Sequence, residues 1–266
     1  MTKTALITGG SSGIGLALSR RLAERGWRLL WVSLDEAELI AAGDELRAEF
    51  PDVVIETLAL DLSDENAPSR VLQWALGQGG IDLLVNNAGF GLYGTSHTLP
   101  VEGEAKTIAV NVGALHALAR LFIAPMEDRG GGRIINIASN SAFTPVPFMA
   151  VYAATKAFVR HYSEALGEEL RLAGSPVKVM TVCPAAAGDT NFSKRGAMEN
   201  VRTFQSFTRT TATEIASDII RGMDQDKPRI VTGAAMRASM VLMKFTPDFI
   251  VRRMVRWQSS TLNPKV

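Results

Sequence analysis

Seven short runs of mostly apolar residues recur along the chain, and longer patterns of helical periodicity separate them. The runs are TALIT (4–8), RLLWVS (28–33), VVIETLAL (53–60), IDLLVNN (81–87), GRIINIAS (132–139), VKVMTVCP (177–184) and PRIVTG (228–233). Most of them are continuous rather than alternating, which is typical of strands covered on both faces in a parallel sheet. The pattern therefore predicts seven buried strands.

The segments between these runs carry helical patterns. LALSRRLAERG (16–26) ends at Gly26, which is expected as the C′ residue of a helix, and residues 149–171 predict one long helix. Repeated alternation of strand and helix predicts an α/β fold, a doubly wound parallel sheet with right-handed crossovers. The chain has no internal repeat or linker, so residues 1–266 are expected to form a single domain.

Composition and charge narrow the function by exclusion. The net charge of +1 offers no general attraction for nucleic acid. Cys183 is the only cysteine, so no internal disulfide can form, and the three histidines lack metal-ligand spacing. The chain starts on a strand without a secretory leader, and no apolar run reaches the roughly 20 residues of a membrane span. A cytoplasmic protein without a metal is expected.

A glycine cluster, TGGSSGIG (8–15), follows the first predicted strand and opens a helix. In this context glycines permit a tight turn at Gly9 and a close approach of the backbone to a pyrophosphate at Gly13 and Gly15. The helix that starts near Ile14 offers free N–H groups and its positive dipole end to that anion. Ser11 and Ser12 add hydroxyl donors. The alternative is a turn that only needs small residues.

A second constellation carries proton chemistry. Tyr152 and Lys156 in YAATK lie one turn apart on one helix face, and Ser139 ends the strand that precedes them. A free phenol titrates near pH 10, and a cationic lysine beside it is expected to lower that pKa toward the range useful for acid–base catalysis. Ser139 can hydrogen-bond a substrate oxygen, with Ser141 as the less favoured alternative. The alternative is that Tyr152 and Lys156 belong to a surface helix with a solvated lysine, and that Ser139 belongs to a turn at the end of the strand.

The spacing TGxxxGxG, followed in order by LDL (60–62), NNAG (86–89), YAATK (152–156) and PAAAGDT (184–190), resembles the short-chain dehydrogenase/reductase family. The resemblance extends over most of the chain and fades beyond about residue 195. It implies a Rossmann-like domain that binds NAD or NADP. It also implies a homodimer or homotetramer that packs through the helices containing Asn111 and Tyr152.

The resemblance assigns roles to individual residues. The expected catalytic set is Asn111, Ser139, Tyr152 and Lys156. With the glycine-loop argument, the expected cofactor contacts are Gly9, Ser11, Ser12, Gly13, Ile14, Gly15, Ser33, Asp61, Leu62, Asn87, Ala88, Gly89, Tyr152, Lys156, Pro184 and Thr190. Within these sets the resemblance implies that Asp61 lies near the adenine, that Lys156 also reaches the ribose hydroxyls and that Asn111 orders a water beside it.

The chain departs from the family pattern in two places. An acidic residue at the end of the second strand selects NAD, and a basic residue selects NADP, but here the two positions hold Ser33 and Leu34. Because Ser33 does not repel a 2′-phosphate, NADP(H) is slightly favoured, and Asp35 is expected to cap the next helix. Ala185 replaces a usual glycine after the proline, which moves Thr190 one residue later than in the family.

Two segments are expected to shape the substrate site. The polar, weakly periodic loop from Thr190 to Phe207 predicts a substrate lid. A mainly apolar substrate pocket is expected from Tyr93, Phe143, Phe148, Phe192, Met198, Phe204 and Phe207. Residues 237–258 hold five basic residues against one acid, broken at Pro247, and favour a final helix packed on the body or on a subunit partner. The alternative is an amphipathic helix on an anionic membrane or over a lipid-like substrate.

These observations predict an oxidoreductase that transfers hydride between a nicotinamide and a carbonyl or alcohol, with Tyr152 as the general acid and base. Two alternatives stay open. One is a sensor or scaffold that binds NAD(P) without turnover. The other is epimerase or dehydratase chemistry, which uses similar residues on larger substrates.

Overall fold

The seven predicted strands form one parallel sheet in a computed structural model that describes residues 2–196, 198–206, 208–243 and 245–261. The sheet order is β3-β2-β1-β4-β5-β6-β7. The strands are β1 (Thr4–Thr8), β2 (Arg28–Ser33), β3 (Ile55–Ala59), β4 (Leu83–Asn86), β5 (Gly132–Ile137), β6 (Val177–Cys183) and β7 (Arg229–Val231). The doubly wound fold class predicted from the apolar runs is confirmed, and the runs differ from the strands by at most two residues at either end.

Helices cover both faces of this sheet. They are α1 (Gly13–Ala23), α2 (Glu36–Glu49), α3 (Ala67–Gly77), α4 (Val101–Ile108), α5 (Leu115–Asp128), α6 (Ala150–Leu172), α7 (Asn191–Arg195), α8 (Ala212–Asp224), α9 (Ala234–Met243) and α10 (Asp248–Gln258). Helix α1 ends earlier than predicted, with Glu24 as its cap, so Gly26 follows the C′ residue and turns the chain at φ +71°. Pro247 precedes α10 and separates it from α9, as the sequence predicts.

Two apolar clusters, one on each face, explain why the strands read as continuous apolar runs. Successive residues of β1 point to opposite faces: Ile7 joins the cluster under α1, α2 and α8, and Leu6 joins the one under α3, α5 and α6. Every residue of β1 is buried, whereas in the edge strand β3 only Ile55 is buried and the other positions are half-buried or exposed. Parallel strands buried on both faces leave their carboxyl ends as the place where polar side chains and ligands can meet.

The helical pattern over 103–122 contains an irregularity that the sequence does not reveal. Helices α4 and α5 are joined by a π-helical segment, Ala109–Ala114. The whole stretch Val101–Asp128 is long and apolar enough to cross a membrane by length and composition alone. Its inner face, including Phe122 and Met126, is packed into the core of this fold. Single-turn π segments often occur at functional sites, and this one holds Asn111.

Candidate active site

The glycine loop joins the end of β1 to the start of α1 and requires glycine at three positions for two reasons. Gly9 (φ +65°) and Gly13 (φ +53°) adopt left-handed backbone conformations that other residues rarely adopt. Gly15 has no room for a side chain, because an added Cβ would lie 2.1 Å from the Gly9 carbonyl oxygen. Gly9, Ser11, Ser12, Gly13 and Ile14 line a cavity of about 810 Å³, whereas Gly15 packs behind the loop instead of facing a phosphate as expected.

The NNAG segment after β4 is hydrogen-bonded to this loop and stabilises it. The Asn87 side-chain amide donates to the Thr8 carbonyl at 2.9 Å and to the Gly9 carbonyl at 3.1 Å. The backbone N–H groups of Asn87 and Ala88 both donate to the Thr8 hydroxyl at 3.0 Å. Asn87, Ala88 and Gly89 line the cavity, so the segment both shapes the loop and forms part of the wall.

A carboxylate that the sequence analysis missed lies at the end of β2. Ser33 is buried there, and its hydroxyl oxygen lies 3.0 Å from the Ser11 hydroxyl. Glu38, in the first turn of α2, places a carboxylate oxygen 3.2 Å from the same Ser11 hydroxyl and lines the cavity. Asp35 accepts from the Glu38 N–H at 3.1 Å and caps α2, as predicted. The absence of a carboxylate at position 33, which favoured NADP(H), therefore does not leave this end of the cavity without one.

Asp61 and Leu62, which follow β3, form the adjoining wall together with Lys106. The Asp61 carboxylate accepts from the Lys106 ammonium at 2.8 Å and from the Ser63 hydroxyl at 2.7 Å. The hydrogen bond from Lys106, followed by those from Ser63, lowers the pKa of Asp61 to about 2. A fixed anion and its partner cation therefore stand on the wall where the resemblance implies an adenine.

The residues expected to transfer protons meet at the carboxyl end of β5. Ser139 lies just beyond this strand, and its hydroxyl donates to the Asn140 side-chain oxygen at 3.2 Å. It is also near enough to Tyr152 of α6 to act on the pKa of that phenol. Lys156, one turn further along α6, is buried, and its ammonium donates to the Ile137 carbonyl at 2.8 Å. That ammonium lies 5.9 Å from the centroid of the Tyr152 ring. Ser139, Tyr152 and Lys156 all line the cavity. The hydroxyl of the alternative, Ser141, has no hydrogen-bond partner among the described residues.

Burial controls the protonation of this pair more strongly than the lysine charge does. It raises the pKa of Tyr152 to about 12, although Ser139 acts in the opposite direction. Burial lowers the pKa of Lys156 to about 8. The expectation that Lys156 lowers the Tyr152 pKa is therefore wrong for the protein alone, because the removal of the phenolate from water dominates and the Lys156 charge makes no resolved contribution. The phenol is held in its protonated form.

Asn111 lies behind the cavity wall rather than in it. Its side-chain amide donates to the Phe90 carbonyl at 2.9 Å and to the Thr155 hydroxyl at 3.1 Å, and its oxygen accepts from the Phe90 N–H. Gly89 separates it from the site, since a Cβ there would lie 2.9 Å from the Asn111 oxygen and 3.2 Å from the Lys156 nitrogen. In the protein alone, Asn111 fixes the backbone on which these groups stand.

The segment after β6 closes the cavity above the glycine loop. Pro184, Ala185 and Thr190 all line the cavity. The Ala185 N–H donates to the Thr232 hydroxyl at 3.2 Å, which anchors the segment to the end of β7. Thr190 precedes α7, and its methyl carbon would lie 3.3 Å from a Cβ built on Gly13. Despite its shifted position in the sequence, Thr190 therefore packs against the glycine loop. Cys183 is buried, as expected of a core thiol, and burial raises its pKa to about 12.

Two of the four apolar lid residues expected in the substrate pocket reach the cavity. The Phe192 ring lies 5.3 Å from the Tyr152 ring and 6.3 Å from the Phe204 ring, and both phenylalanines line the wall. Tyr93 and Met198 belong to the apolar cluster behind that wall.

The remaining expected pocket residues lie elsewhere. The Phe148 ring packs on Tyr93, with centroids 5.7 Å apart, and Phe143 lies under the guanidinium of Arg160 at 4.1 Å. Phe207 falls outside the described residues. The lid segment contains the short helix α7 and a 3₁₀ turn, Arg202–Gln205.

The sequence analysis missed most of the apolar wall of the cavity. This wall comes from α9, α10 and the segment before α6: Val146, Met149, Met236, Met240, Met243, Met254 and Val255. A usable signal was present, because Met236, Met240 and Met243 recur at the i, i+4, i+7 spacing of one helix face. The five basic residues of the segment instead suggested a function for its outer surface.

Known proteins resemble this chain in sequence and in fold. A profile of the short chain dehydrogenase family matches residues 3–200. Very-long-chain 3-oxoacyl-CoA reductase from Bos taurus is 34% identical over 184 residues, which cover 68% of this chain and 58% of that protein. D-beta-hydroxybutyrate dehydrogenase from Rhizobium meliloti (strain 1021) is 36% identical over 191 residues, which cover 69% of this chain and 71% of that protein. A short-chain dehydrogenase from Sphingobium yanoikuyae, solved in complex with NADPH, matches with a TM-score of 0.79 and 31% identity over 92% of this chain and 97% of that chain.

The residues matched by the family profile can be compared with the elements of the fold. The family profile covers the glycine loop, the Ser139–Tyr152–Lys156 group and the first half of the lid, and it ends before α8, α9 and α10. The chain spans little more than half of the bovine relative, 58% of its length. The matched part holds strands β1 to β6, the glycine loop, Ser139, Tyr152 and Lys156, and this chain belongs to the short-chain dehydrogenase/reductase family of oxidoreductases.

Proposed function

We propose that this protein reduces a ketone or aldehyde on a mainly apolar substrate, or oxidises the corresponding alcohol, with NAD(P)(H) as the hydride carrier. The observation that carries the proposal is the convergence of two groups on one cavity: the glycine loop, and the group formed by Ser139, Tyr152 and Lys156. Neither group alone requires this chemistry. Together they set an anion-binding loop within the same cavity as a phenol poised to donate a proton.

The cavity wall offers residue types that suit each part of a dinucleotide: the pyrophosphate, the adenosine half and the nicotinamide half. Backbone N–H groups at the start of α1, with Ser11 and Ser12, suit a pyrophosphate. Leu62 and the segment around Asp61 suit the adenosine half, and Pro184 with Thr190 suits the nicotinamide half. When bound, NAD(P)H supplies the hydride that reduces a carbonyl carbon.

The protein's own residues handle the charge that develops on the substrate oxygen. Tyr152 carries its proton at neutral pH and donates it to that oxygen, while Ser139 donates a hydrogen bond to the same atom. The Lys156 ammonium lies 5.9 Å from the centroid of the Tyr152 ring, and with the cofactor bound we expect its positive charge to stabilise the phenolate that remains after the transfer. For alcohol oxidation the same groups act in reverse.

The balance between the two cofactors depends on the end of β2. Ser33 and Ser12 can donate to a 2′-phosphate, which favours NADP(H), whereas the Glu38 carboxylate repels that phosphate and can accept from a free ribose hydroxyl. Glu38 therefore weakens the preference for NADP(H) that the residues at positions 33 and 34 favour.

The substrate chemistry follows from the opposite wall. Methionine side chains of α9 and α10, with Phe192 and Phe204, surround the space in front of Tyr152. Methionine adapts to irregular apolar shapes, so acyl chains, steroids and aromatic ketones are all suitable candidates. Two relatives carry an oxo or a hydroxy group in their substrate names, which supports the carbonyl–alcohol chemistry. We further expect a cytoplasmic homodimer or homotetramer.

Turnover assays with the purified full chain test the proposal. A panel of apolar ketones and alcohols is assayed with NADH, NADPH and their oxidised forms by nicotinamide absorbance. We expect turnover of at least one bulky apolar substrate. Tight binding of NAD(P)H without turnover of any panel member would support the sensor alternative and contradict the proposal.

A further inference from the structure

Helices α9 and α10 form a C-terminal helix pair that is apolar on two opposite sides. The inner side of α9 presents Met236, Met240 and Met243 to the cavity. Its outer side presents Val241 and Leu242 to solvent, and Phe245, just after the helix, is 83% exposed. A surface helix on a globular body normally has one apolar face and one polar face. The second apolar face needs a partner outside the described residues.

Helix α10 also has both buried and exposed apolar residues. Val251 and Val255 are buried against the body, whereas Phe249 is 72% exposed and Trp257 is 60% exposed. Ile250 is also exposed beside them. We call the exposed set Val241, Leu242, Phe245, Phe249, Ile250 and Trp257 the outer apolar surface. Six large apolar side chains exposed between residues 241 and 257 are more typical of a binding surface than of scattered exposure.

The charges around this surface identify its partner. Residues 237–258 carry five basic side chains and one acidic one. Arg252 pairs with Asp248, and Arg237 pairs with Asp218 of α8. Arg253 and Arg256 are exposed among the aromatic residues of α10. Arginine mixed with phenylalanine and tryptophan is the composition of helices that lie in the headgroup region of an anionic bilayer.

We propose that the outer apolar surface docks on an anionic phospholipid bilayer, and that substrates with apolar tails enter the cavity from it. Met254 connects the two functions, because it lines the cavity and is also partly exposed at the outer side of α10. A second copy of the chain suits the surface less well, because a symmetric contact would bring Arg253 and Arg256 of both copies together. The docking itself does not depend on the proposed function, whereas the substrate route does.

Vesicle co-sedimentation of the full chain tests the docking. We expect binding to vesicles of phosphatidylcholine mixed with phosphatidylglycerol, weaker binding to phosphatidylcholine alone, and release at high salt. The double variant Phe245→Ser/Phe249→Ser should lower the partition coefficient by about tenfold or more, because two inserted rings are lost. Arg253→Gln/Arg256→Gln should lower it by roughly fivefold for each arginine removed, and only on anionic vesicles.

Leu172→Ser is the matched control, because Leu172 is a 71% exposed apolar residue at the end of α6 and lies outside the helix pair. It should bind vesicles like the wild type. Both double variants should keep wild-type turnover of a water-soluble ketone, which shows that they are folded. Wild-type protein that stays in the supernatant would overturn the proposal. So would a wild-type oligomer, measured by light scattering, that dissociates in Phe245→Ser/Phe249→Ser. Vesicle binding without any oxidoreductase activity would support the docking surface and contradict the proposed function.

Discussion

At one end of the cavity the wall is backbone held by hydrogen bonds, and at the other end it is a set of flexible apolar side chains. Four hydrogen bonds fix the glycine loop. Asn87 donates three of them, to the Thr8 hydroxyl, the Thr8 carbonyl and the Gly9 carbonyl, and the Ala88 N–H donates the fourth to the Thr8 hydroxyl. The opposite wall is built from methionines of α9 and α10. A change of one atom matters in the first region because backbone cannot rotate away, whereas a methionine in the second can change its rotamer.

This difference suits the two ligands. A cofactor is the same molecule in every turnover, so its loop gains from a rigid shape that needs no rearrangement on binding. A wall of methionines accepts ligands of several shapes at a small energetic cost. The two ends should therefore respond very differently to substitutions of similar size.

The largest effect is expected for Gly15→Ala. The new methyl group would lie 2.1 Å from the Gly9 carbonyl oxygen and 2.8 Å from the Asn87 amide nitrogen, so the start of α1 must move. We expect a loss of roughly 3 kcal/mol or more in the free energy of unfolding and about a hundredfold weaker NAD(P)H binding. Chemical denaturation and nicotinamide fluorescence measure these two quantities.

Gly77→Ala is the control for that substitution. Gly77 ends α3, is exposed, and has no atom within 4 Å of an added Cβ. It should leave stability and cofactor affinity close to the wild type. If Gly15→Ala behaves like Gly77→Ala, the glycine loop is not the rigid element described above.

Tyr152→Phe should abolish most turnover while leaving the fold intact. It removes one hydroxyl, and the loss of a positioned general acid lowers kcat by about a hundredfold to ten-thousandfold. Tyr162→Phe on the same helix is the control, because the Tyr162 hydroxyl is buried without a hydrogen-bond partner among the described residues. Steady-state kinetics with one ketone compare the two. Equal kcat values would show that Tyr152 is not the proton donor.

The strands and the glycine loop could be predicted from the sequence, whereas the apolar wall could not. The strands were predictable because burial on both faces leaves continuous apolar runs, and the glycine loop because its spacing follows from backbone geometry. Glu38 was missed because the residue it contacts, Ser11, lies 27 positions earlier in the chain and comes next to α2 only when β1 and β2 pair. The high pKa of Tyr152 was missed for a similar reason: the spacing revealed the lysine but not the burial.

The apolar wall escaped prediction because different parts of the chain build it. Phe148 and Phe143 looked like pocket residues by type, yet tertiary packing turns them toward Tyr93 and Arg160. Methionines at helical spacing are more often core than binding site, so their pattern alone could not show that they face a cavity.

Lys156→Met should change how stability depends on pH. Burial lowers the Lys156 pKa from 10.5 in an unfolded chain to about 8 in the folded one, so the unfolded state holds more protons between these values. The free energy of unfolding should therefore gain a contribution as pH rises from about 8 to 10.5, and lose it as pH falls again, by roughly 3 kcal/mol. Lys156→Met lacks this contribution. Urea denaturation across this range, with the exposed Lys227→Met as control, measures it. Parallel curves for wild type and Lys156→Met would contradict the buried charge.

Glu38→Gln should move the cofactor balance by a smaller amount. Removing the charge removes its repulsion of a 2′-phosphate and one acceptor for a ribose hydroxyl, so the affinity ratio of NADPH to NADH should rise by roughly tenfold. Fluorescence titration of both cofactors measures the ratio without turnover. Glu36→Gln, an exposed neighbour on α2, should leave the ratio unchanged. A rise in both variants would assign the effect to general surface charge rather than to the position of Glu38.

The smallest effect is expected for Met240→Leu in the apolar wall. The two side chains have similar volume, and the neighbouring Met236 and Met243 can adjust to the branched shape. We expect kcat/KM for a bulky apolar ketone to change by less than about threefold, and cofactor affinity to stay at the wild-type value. The comparison with Gly15→Ala is informative because that substitution also adds or moves only a few atoms. A loss above tenfold for Met240→Leu would show that this wall is as rigid as the glycine loop. Tolerance at Met240 together with intolerance at Gly15 would instead locate substrate range in α9 and α10, which can vary while the loop proposed to hold the cofactor cannot.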